Sequence, residues 1–173
     1  EADLAVVREK ISGQESYGEV DGCPARVDPN GLSVSFRVTQ RHDVDVKGSP
    51  MNTWDQPDAR LDLPSTFYEK AEPVKIGHVV FFVSDLAATE AFYTDVLGFA
   101  VSDRYPGAGT FLRCSTPGGH HSMFILETPD KKAGLNHVAY TVRDIHEVFG
   151  GGLQVDKCGW KTQIGPGRHP VSS

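Results

Sequence analysis

Two histidines open two stretches of this sequence that match each other. His78 begins His-Val-Val-Phe-Phe-Val-Ser-Asp-Leu, and His137 begins His-Val-Ala-Tyr-Thr-Val-Arg-Asp-Ile. The agreement at His, at two Val positions and at Asp indicates an internal repeat. A lone histidine at a strand end would more simply satisfy a backbone group. Two histidines at equivalent places in two related modules instead suggest imidazoles that converge on one metal ion.

Each copy predicts the same local structure. A Val-rich and aromatic run is typical of a buried strand, and Asp85 or Asp144 can then cap a following helix. In the first copy the helix ends at Gly98, and three alternating segments follow, at 99–105, 110–114 and 122–126. This order predicts a βαβββ module. The second copy starts at Leu135, and we expect Gly150-Gly151-Gly152 to cut short its helix, whose apolar face is Ile145, Val148 and Phe149.

The first forty residues predict part of a further α+β module. Residues 2–11 have the apolar spacing of an amphipathic helix, 20–27 indicates a strand with a kink, and 32–36 alternates as a second strand. We expect this module to begin partway through and the second repeat to lose its last strands after Ser173. Residues 42–73, rich in Pro and Gly, predict a surface connector anchored by Trp54, Phe67 and Tyr68.

Composition excludes several function classes. The 173 residues include 17 Lys and Arg against 23 Asp and Glu, a net charge of −6 without a basic block, which disfavours nucleic-acid binding. No apolar run approaches the roughly 20 residues of a membrane span. Cys23, Cys114 and Cys158 are widely spaced, which predicts structural thiols and a cytoplasmic location.

Five phrases of the chain together resemble a known family. They are Gly77-His78-Val79, the helix phrase at 92–99, His120-His121-Ser122, Asn136-His137-Val138 and Gly167-Arg168-His169. They resemble the vicinal oxygen chelate superfamily, and within it the type I extradiol dioxygenases that open 2,3-dihydroxybiphenyl and other catechols. The resemblance implies an α+β fold of paired βαβββ modules. It also implies three parts: an incomplete N-terminal non-metal domain (1–41), a connector (42–73) and a truncated C-terminal metal-binding catalytic domain (74–173).

The resemblance also implies roles for four histidines. His78 and His137 match the two imidazole ligands of Fe(II), with Mn(II) as a possible substitute, and the third, carboxylate ligand is expected beyond the end of this chain. His121 matches an acid/base group, and His169 matches a histidine that hydrogen-bonds the bound diol or oxygen. Ser35 stands where an N-terminal metal site would need its glutamate.

The function implied is ring cleavage of a catecholic small molecule with O2 to a semialdehyde, by an enzyme expected to be a homo-oligomer. A basic imidazole suits this reaction because its ordinary pKa, about 6.5, lies near working pH. Two alternatives within the same fold stay open. One is a metal-dependent isomerase or lyase of the glyoxalase type, which would consume no O2. The other is a metal-free drug-binding protein of the bleomycin-resistance type, which needs no histidine at the two strand starts.

Overall fold

The computed structural model describes residues 2–47, 55, 64, 66–115, 118–165 and 167. Its helices are α1 (Ala2–Ser12), α2 (Leu86–Ala91) and α3 (Ile145–Lys157), and a π-helical turn (Phe92–Val96) follows α2 directly. Its strands are β1 (Tyr17–Val20), β2 (Cys23–Val27), β3 (Ser33–Ser35), β4 (Lys75–Val83), β5 (Ala100–Tyr105), β6 (Gly109–Arg113), β7 (Met123–Glu127) and β8 (Gly134–Thr141). The mixture confirms the predicted α+β class.

Strands β4 to β8 form a five-stranded sheet in the order β5-β6-β7-β4-β8, and β1 to β3 form a second sheet. β4 runs parallel to β7, whereas β6 pairs antiparallel with both β5 and β7. The succession β4-α2-β5-β6-β7 is the predicted βαβββ order. Because β4 lies between β7 and β8, the strands that open the two sequence repeats are neighbours in the sheet.

One face of this sheet packs against α2 and the π-helical turn. The buried core there consists of Val83, Phe92, Tyr93, Leu112, Met123 and Ile125. Burial of each large apolar side chain contributes roughly 1.5–3 kcal/mol, so this cluster holds helix and sheet together. Side chains alternate between the faces of a strand, and His78 and Phe111 therefore lie on the opposite face.

The predicted ends of the first repeat's helix are confirmed. The Asp85 side chain accepts a hydrogen bond from Ala88 N at 2.9 Å, which is the expected N-cap. Gly98 ends the helical segment with a φ of 81°, a conformation that only glycine adopts at little cost. The π-helical turn was not predicted, and Leu97 N donates to Phe92 O within it at 3.2 Å.

The single kinked strand predicted at residues 20–27 is wrong. β1 and β2 form an antiparallel hairpin with Val20 opposite Cys23. Asp21 and Gly22 make the connecting turn, with φ values of 51° and 73°. An Asp-Gly pair with two positive φ angles is typical of the tight turn that matches strand twist, and the kink prediction overlooked this signal.

A polar network attaches the Asp28 turn to the first repeat. Asn30 Nδ2 donates to Thr89 Oγ1 at 3.0 Å, and Asn30 Oδ1 accepts from Ser84 N at 3.0 Å. The buried Tyr93 hydroxyl donates to Asp28 Oδ2 at 3.5 Å. Burial and then the Asp28 carboxylate raise the pKa of Tyr93, so the phenol stays protonated and remains a donor.

The chain divides into two compact units, one of residues 1–42 and 78–138 and the other of residues 43–77 and 139–173. The first unit contains the Asp28 network, α2 and most of the five-stranded sheet. The division into domains at residues 41 and 73 stays a prediction. No helix in the described part of the chain is long and apolar enough to cross a membrane.

In the second unit, helix α3 continues through the three glycines instead of ending at them, so that prediction is wrong. A Cβ on Gly150 would lie 2.5 Å from Tyr68 O, and a Cβ on Gly151 would lie 3.0 Å from Ala71 Cβ. The glycines therefore allow residues 68–71 to pack directly on the helix. Of the expected anchors of the connector, Tyr68 makes this contact, Phe67 is 73% exposed, and Trp54 lies outside the described residues.

The predicted cap of α3 is confirmed. Asp144 accepts from Glu147 N at 3.0 Å. The fully buried Glu147 carboxylate in turn accepts from Glu72 N at 2.7 Å, and from both the backbone and the guanidinium of Arg143. Burial opposes ionisation of Glu147, but these donors outweigh it and lower its pKa.

The three cysteines are free, and their predicted structural role stays a prediction. Cys23 is half-buried, and Cys114 and Cys158 are exposed.

Candidate metal centre

The two repeat histidines meet at the junction of β4 and β8. His78 Nε2 and His137 Nε2 are 3.4 Å apart, and the ring centroids are 5.5 Å apart in an edge-on arrangement. His78 is half-buried and His137 is exposed. Both imidazoles therefore direct the same ring nitrogen toward one point.

A neighbouring amide favours one tautomer of His137. Its Nδ1 lies 2.7 Å from Asn136 Oδ1. Since an amide oxygen can only accept, the contact favours the neutral tautomer with its hydrogen on Nδ1 and its lone pair on Nε2. This is the state that a metal-binding histidine needs, with the second nitrogen held by a hydrogen bond.

A third imidazole, that of His121, completes the cluster. Its ring centroid is 4.4 Å from that of His78, and the half-buried ring also contacts Phe111 at 4.9 Å. The preceding His120 lies on the outer side, with its Nδ1 3.1 Å from His121 Nδ1 and its Nε2 3.7 Å from Asp103. The structure thus brings His78, His121 and His137 together. His169 lies outside the described residues.

Two stacked phenylalanine rings lie beside this cluster on the same face of the sheet. Phe111 and Phe124 stack face to face, with centroids 4.1 Å apart and planes 13° apart. Gly109 makes room for this stack, because a Cβ there would lie 2.6 Å from Phe124 Cε2 and from Ile125 O. The rings of His120 and His121 thus contact Phe111, which in turn stacks on Phe124.

The surroundings keep His121 uncharged. Burial, followed by the neighbouring imidazoles of His78, His120 and His137, lowers the pKa of His121 to about 4. Burial disfavours the charged form, and like charges nearby disfavour it further. His121 is therefore neutral near pH 7, and in the metal-free chain its ring is a weaker base than an ordinary imidazole, whose pKa is about 6.5.

The pair of Nε2 atoms fits one divalent ion. With metal–nitrogen bonds of about 2.1 Å, two imidazole nitrogens lie about 3.0 Å apart at a right angle and about 3.4 Å apart at a tetrahedral angle. The 3.4 Å separation meets this requirement. Within the described ranges, no group of three or more His, Cys, Asp or Glu side chains is arranged to hold a metal. The described donors are therefore these two imidazoles.

Comparison with protein families decides the membership of the chain. Residues 75–173 match the model of the Glyoxalase/Bleomycin resistance protein/Dioxygenase superfamily, and this is more than half of the chain. The chain belongs to this superfamily. Its βαβββ succession and both repeat histidines lie within the matched residues 75–173, but each histidine is the fourth residue of its strand, not the first as the sequence had predicted.

Two curated relatives of this superfamily member are named as a metapyrocatechase and a dioxygenase. Metapyrocatechase 2 from Cupriavidus necator is 26% identical over 181 residues, a match that covers 100% of this chain and 55% of the relative. The 2,2',3-trihydroxybiphenyl dioxygenase from Sphingomonas paucimobilis is 33% identical over 100 residues, covering 54% of this chain and 33% of the relative. The chain thus spans about half the length, or less, of these relatives.

A solved structure shares the fold. The Mn(II)-bound glyoxalase from Novosphingobium aromaticivorans matches with a TM-score of 0.65 and 28% identity, covering 97% of this chain and 52% of that chain. The matches to this superfamily member therefore include a named dioxygenase and a Mn(II)-bound glyoxalase.

Sequence reasoning assigned no role to several residues around the imidazoles. Asn136, His120 and the Phe111–Phe124 pair contact the cluster directly. The alternation of β6 was a usable signal, because it places Phe111 and Arg113 on one face. That this face of β6 is the one that carries the imidazoles could be recognised only after the strand order was known.

Proposed function

We propose that this protein is an extradiol dioxygenase that cleaves the aromatic ring of a catecholic substrate with O2, using Fe(II) or, in its place, Mn(II). The observation behind this proposal is the 3.4 Å approach of His78 Nε2 and His137 Nε2 beside the His121 ring. The names of the two curated relatives, a metapyrocatechase and a dioxygenase, support the reaction class. The proposal assigns the catalytic function to residues 74–173.

In this proposal His78 and His137 hold the metal, and a carboxylate from outside the described residues completes the ligand set. A divalent ion held by these residues would supply the Lewis-acid chemistry for binding the diol and O2. Asn136 holds His137 in the ligating state through its 2.7 Å hydrogen bond. The two histidines thereby determine where the diol binds.

His121 serves as the acid and base. Its ring lies against that of His78, so it can reach a hydroxyl of a diol held beside His78. The imidazole accepts the proton of that hydroxyl as the diol binds, and it returns a proton later in ring opening. Phe111 keeps the ring in place by its 4.9 Å contact. The proposal gives His169 the role of hydrogen-bonding the bound diol or oxygen.

A glyoxalase-type isomerase is the second candidate, because a Mn(II)-bound glyoxalase shares the fold with a TM-score of 0.65. Such an enzyme would also use the metal pair, but it would turn over without consuming O2. Oxygen consumption therefore separates the two candidates. A metal-free drug-binding protein would bind neither metal nor O2.

The deciding experiment measures oxygen uptake and ring-cleavage absorbance together. The full chain is reconstituted anaerobically with Fe(II) and mixed with catechol, 3-methylcatechol and 2,3-dihydroxybiphenyl in air-saturated buffer. We expect one O2 consumed for each ring opened, with a new absorbance from the semialdehyde product. Metal uptake without oxygen uptake on any diol would contradict the dioxygenase proposal and favour the isomerase.

A further inference from the structure

Arg113 occupies the same row of the sheet as His78. Val79 pairs with Met123 between β4 and β7, and Leu112 pairs with Met123 between β6 and β7. The same register, moved by one residue, places His78 and Arg113 on either side of Ser122. The backbone of Ser122 bonds both neighbouring strands: Val79 N donates to Ser122 O at 3.0 Å, and Ser122 N donates to Leu112 O at 2.8 Å. Residues opposite each other in a sheet point to the same face. Arg113 therefore lies on the imidazole face.

The neighbours of Arg113 in this row are small. Ala100 pairs with Arg113 from β5, and Ser122 flanks it from β7. Neighbouring strands are about 4.8 Å apart, so the Cα atoms of Arg113 and His78 are separated by about 10 Å. A guanidinium on a side chain of this length can approach the far edge of an aromatic ring whose diol lies beside His78.

The charge of Arg113 has no partner in the described part of the chain. Its Nε is buried without a hydrogen bond. Asp103, which the register places opposite Phe111, lies 3.7 Å from His120 instead. Four other arginines of the described chain pair with carboxylates: Arg8 with Glu19, Arg37 with Asp21, Arg104 with Glu90 and Arg143 with Glu147. Arg26 also has a buried Nε without a bond, but its terminal nitrogens donate to Gln14, Glu15 O and Ser16.

Arg113 is half-buried, and its buried Nε–H has no acceptor, which costs the free energy of one unmade hydrogen bond. A carboxylate is the acceptor that best matches the planar, paired N–H donors of a guanidinium. We propose that Arg113 binds an anionic group of the substrate, so that the enzyme prefers catechols with a carboxylate on the ring edge away from the diol. This inference rests on the proposed dioxygenase function, and it assigns the substrate class of that site.

The test compares two diols of the same shape, of which only one is charged. 3,4-Dihydroxybenzoate carries a carboxylate, and 3,4-dihydroxybenzamide is its neutral match. We expect the kcat/KM ratio of acid over amide to fall by about 10- to 100-fold in Arg113→Met, the range for a lost charge-assisted hydrogen bond. Arg113→Lys keeps the positive charge but loses the paired N–H donors of the guanidinium. Its ratio of acid over amide should therefore lie between those of the unmodified enzyme and Arg113→Met.

Arg104→Met is the matched control. Arg104 belongs to the same sheet, but it pairs with Glu90 of α2, on the helix-covered face. We expect its ratio of acid over amide to stay that of the unmodified enzyme. If the ratio of acid over amide is unchanged in Arg113→Met, or changes equally in Arg104→Met, the inference about Arg113 is wrong. The dioxygenase proposal would still stand in that case, provided that the ring is cleaved.

A binding measurement separates the two proposals if no catechol is cleaved. The metal-free full chain is titrated anaerobically with the same acid and amide by calorimetry, and the difference in affinity should shrink by a similar factor in Arg113→Met. If that variant does not fold by circular dichroism, Arg113→Lys and Arg113→Gln replace it. Equal affinities for the acid and the amide in the unmodified chain and in every variant would contradict the role of Arg113. An absence of oxygen uptake alone would contradict only the dioxygenase proposal.

Discussion

His78 Nε2 and His137 Nε2 lie 3.4 Å apart although 59 positions separate the residues in the chain. The sheet order explains this approach, because β8 lies directly beside β4. Each histidine has the same place in its sequence repeat, so neighbouring repeat strands bring equivalent imidazoles together. The site is therefore a consequence of pairing two copies of one pattern.

Removal of one repeat histidine should weaken metal binding strongly. Loss of an outer-shell partner of a metal ligand already costs about 10- to 100-fold in affinity, so His137→Ala should cost at least as much. Competitive titration of Fe(II) and Mn(II) against a chromophoric chelator measures the change. His42→Ala, at an exposed residue away from the cluster, should bind as the unmodified chain does. Equal affinities in both variants would remove His137 from the site.

His121→Phe should lower turnover by about two to four orders of magnitude, the usual contribution of a positioned acid or base. Metal content should persist, since neither proposed ligand is altered. Steady-state kinetics and metal analysis on the same sample measure both quantities.

His120→Phe is the comparison for this variant. His120 contacts His121 but makes no described ring contact with His78, so its replacement should have a much smaller effect. Equal losses in the two variants would mean that the pair acts together and that His121 alone is not the base.

Glu147→Gln should destabilise the second unit near pH 7, and the difference should shrink in acid. Because hydrogen bonds outweigh burial and lower the pKa of Glu147 in the folded chain, its ionised form adds stability above the unfolded pKa, about 4.3. That contribution is lost as the pH falls through the lower folded value. Thermal unfolding of both proteins at pH 7 and at successively lower pH follows this change. If the stability difference between the unmodified protein and Glu147→Gln grew as the pH fell, the role given to the Arg143–Glu147 pair would be wrong.

Two glycines of α3 should respond oppositely to alanine. Gly150→Ala should destabilise the chain by a few kcal/mol, because its Cβ would lie 2.5 Å from Tyr68 O. Gly152→Ala meets no atom within 4 Å, and alanine favours a helix over glycine by about 1 kcal/mol, so it should stabilise. Chemical denaturation of the two variants gives the signs directly. Stabilisation by both would mean that residues 68–71 do not pack on this helix.

Local patterns in the sequence were sufficient for much of the fold. The repeat, the strand at each copy's start and the caps at Asp85 and Asp144 were all predicted and are confirmed. These features depend on residues a few positions apart, through alternation, backbone capping and positive φ angles. The α+β class and the superfamily follow from the same short phrases.

The glycines of α3 show where local reasoning failed. Three consecutive glycines disfavour a helix by intrinsic propensity, yet α3 passes through them because Tyr68 and Ala71 pack where side chains would lie. That contact joins segments about eighty positions apart, and no local pattern predicts it. Phe67, an expected anchor of the connector, is exposed instead.

The sequence by itself determined which residues could bind a metal, since imidazoles and their repeat spacing are visible in the printed chain. Tertiary structure alone decided which atoms meet: the facing Nε2 atoms, the Asn136 contact that leaves His137 able to ligate, and the row that places Arg113 on the imidazole face. Residue chemistry is a local property. The pairing of distant strands is a free-energy balance over the whole sheet, so the position of Arg113 relative to His78 follows only from the folded register.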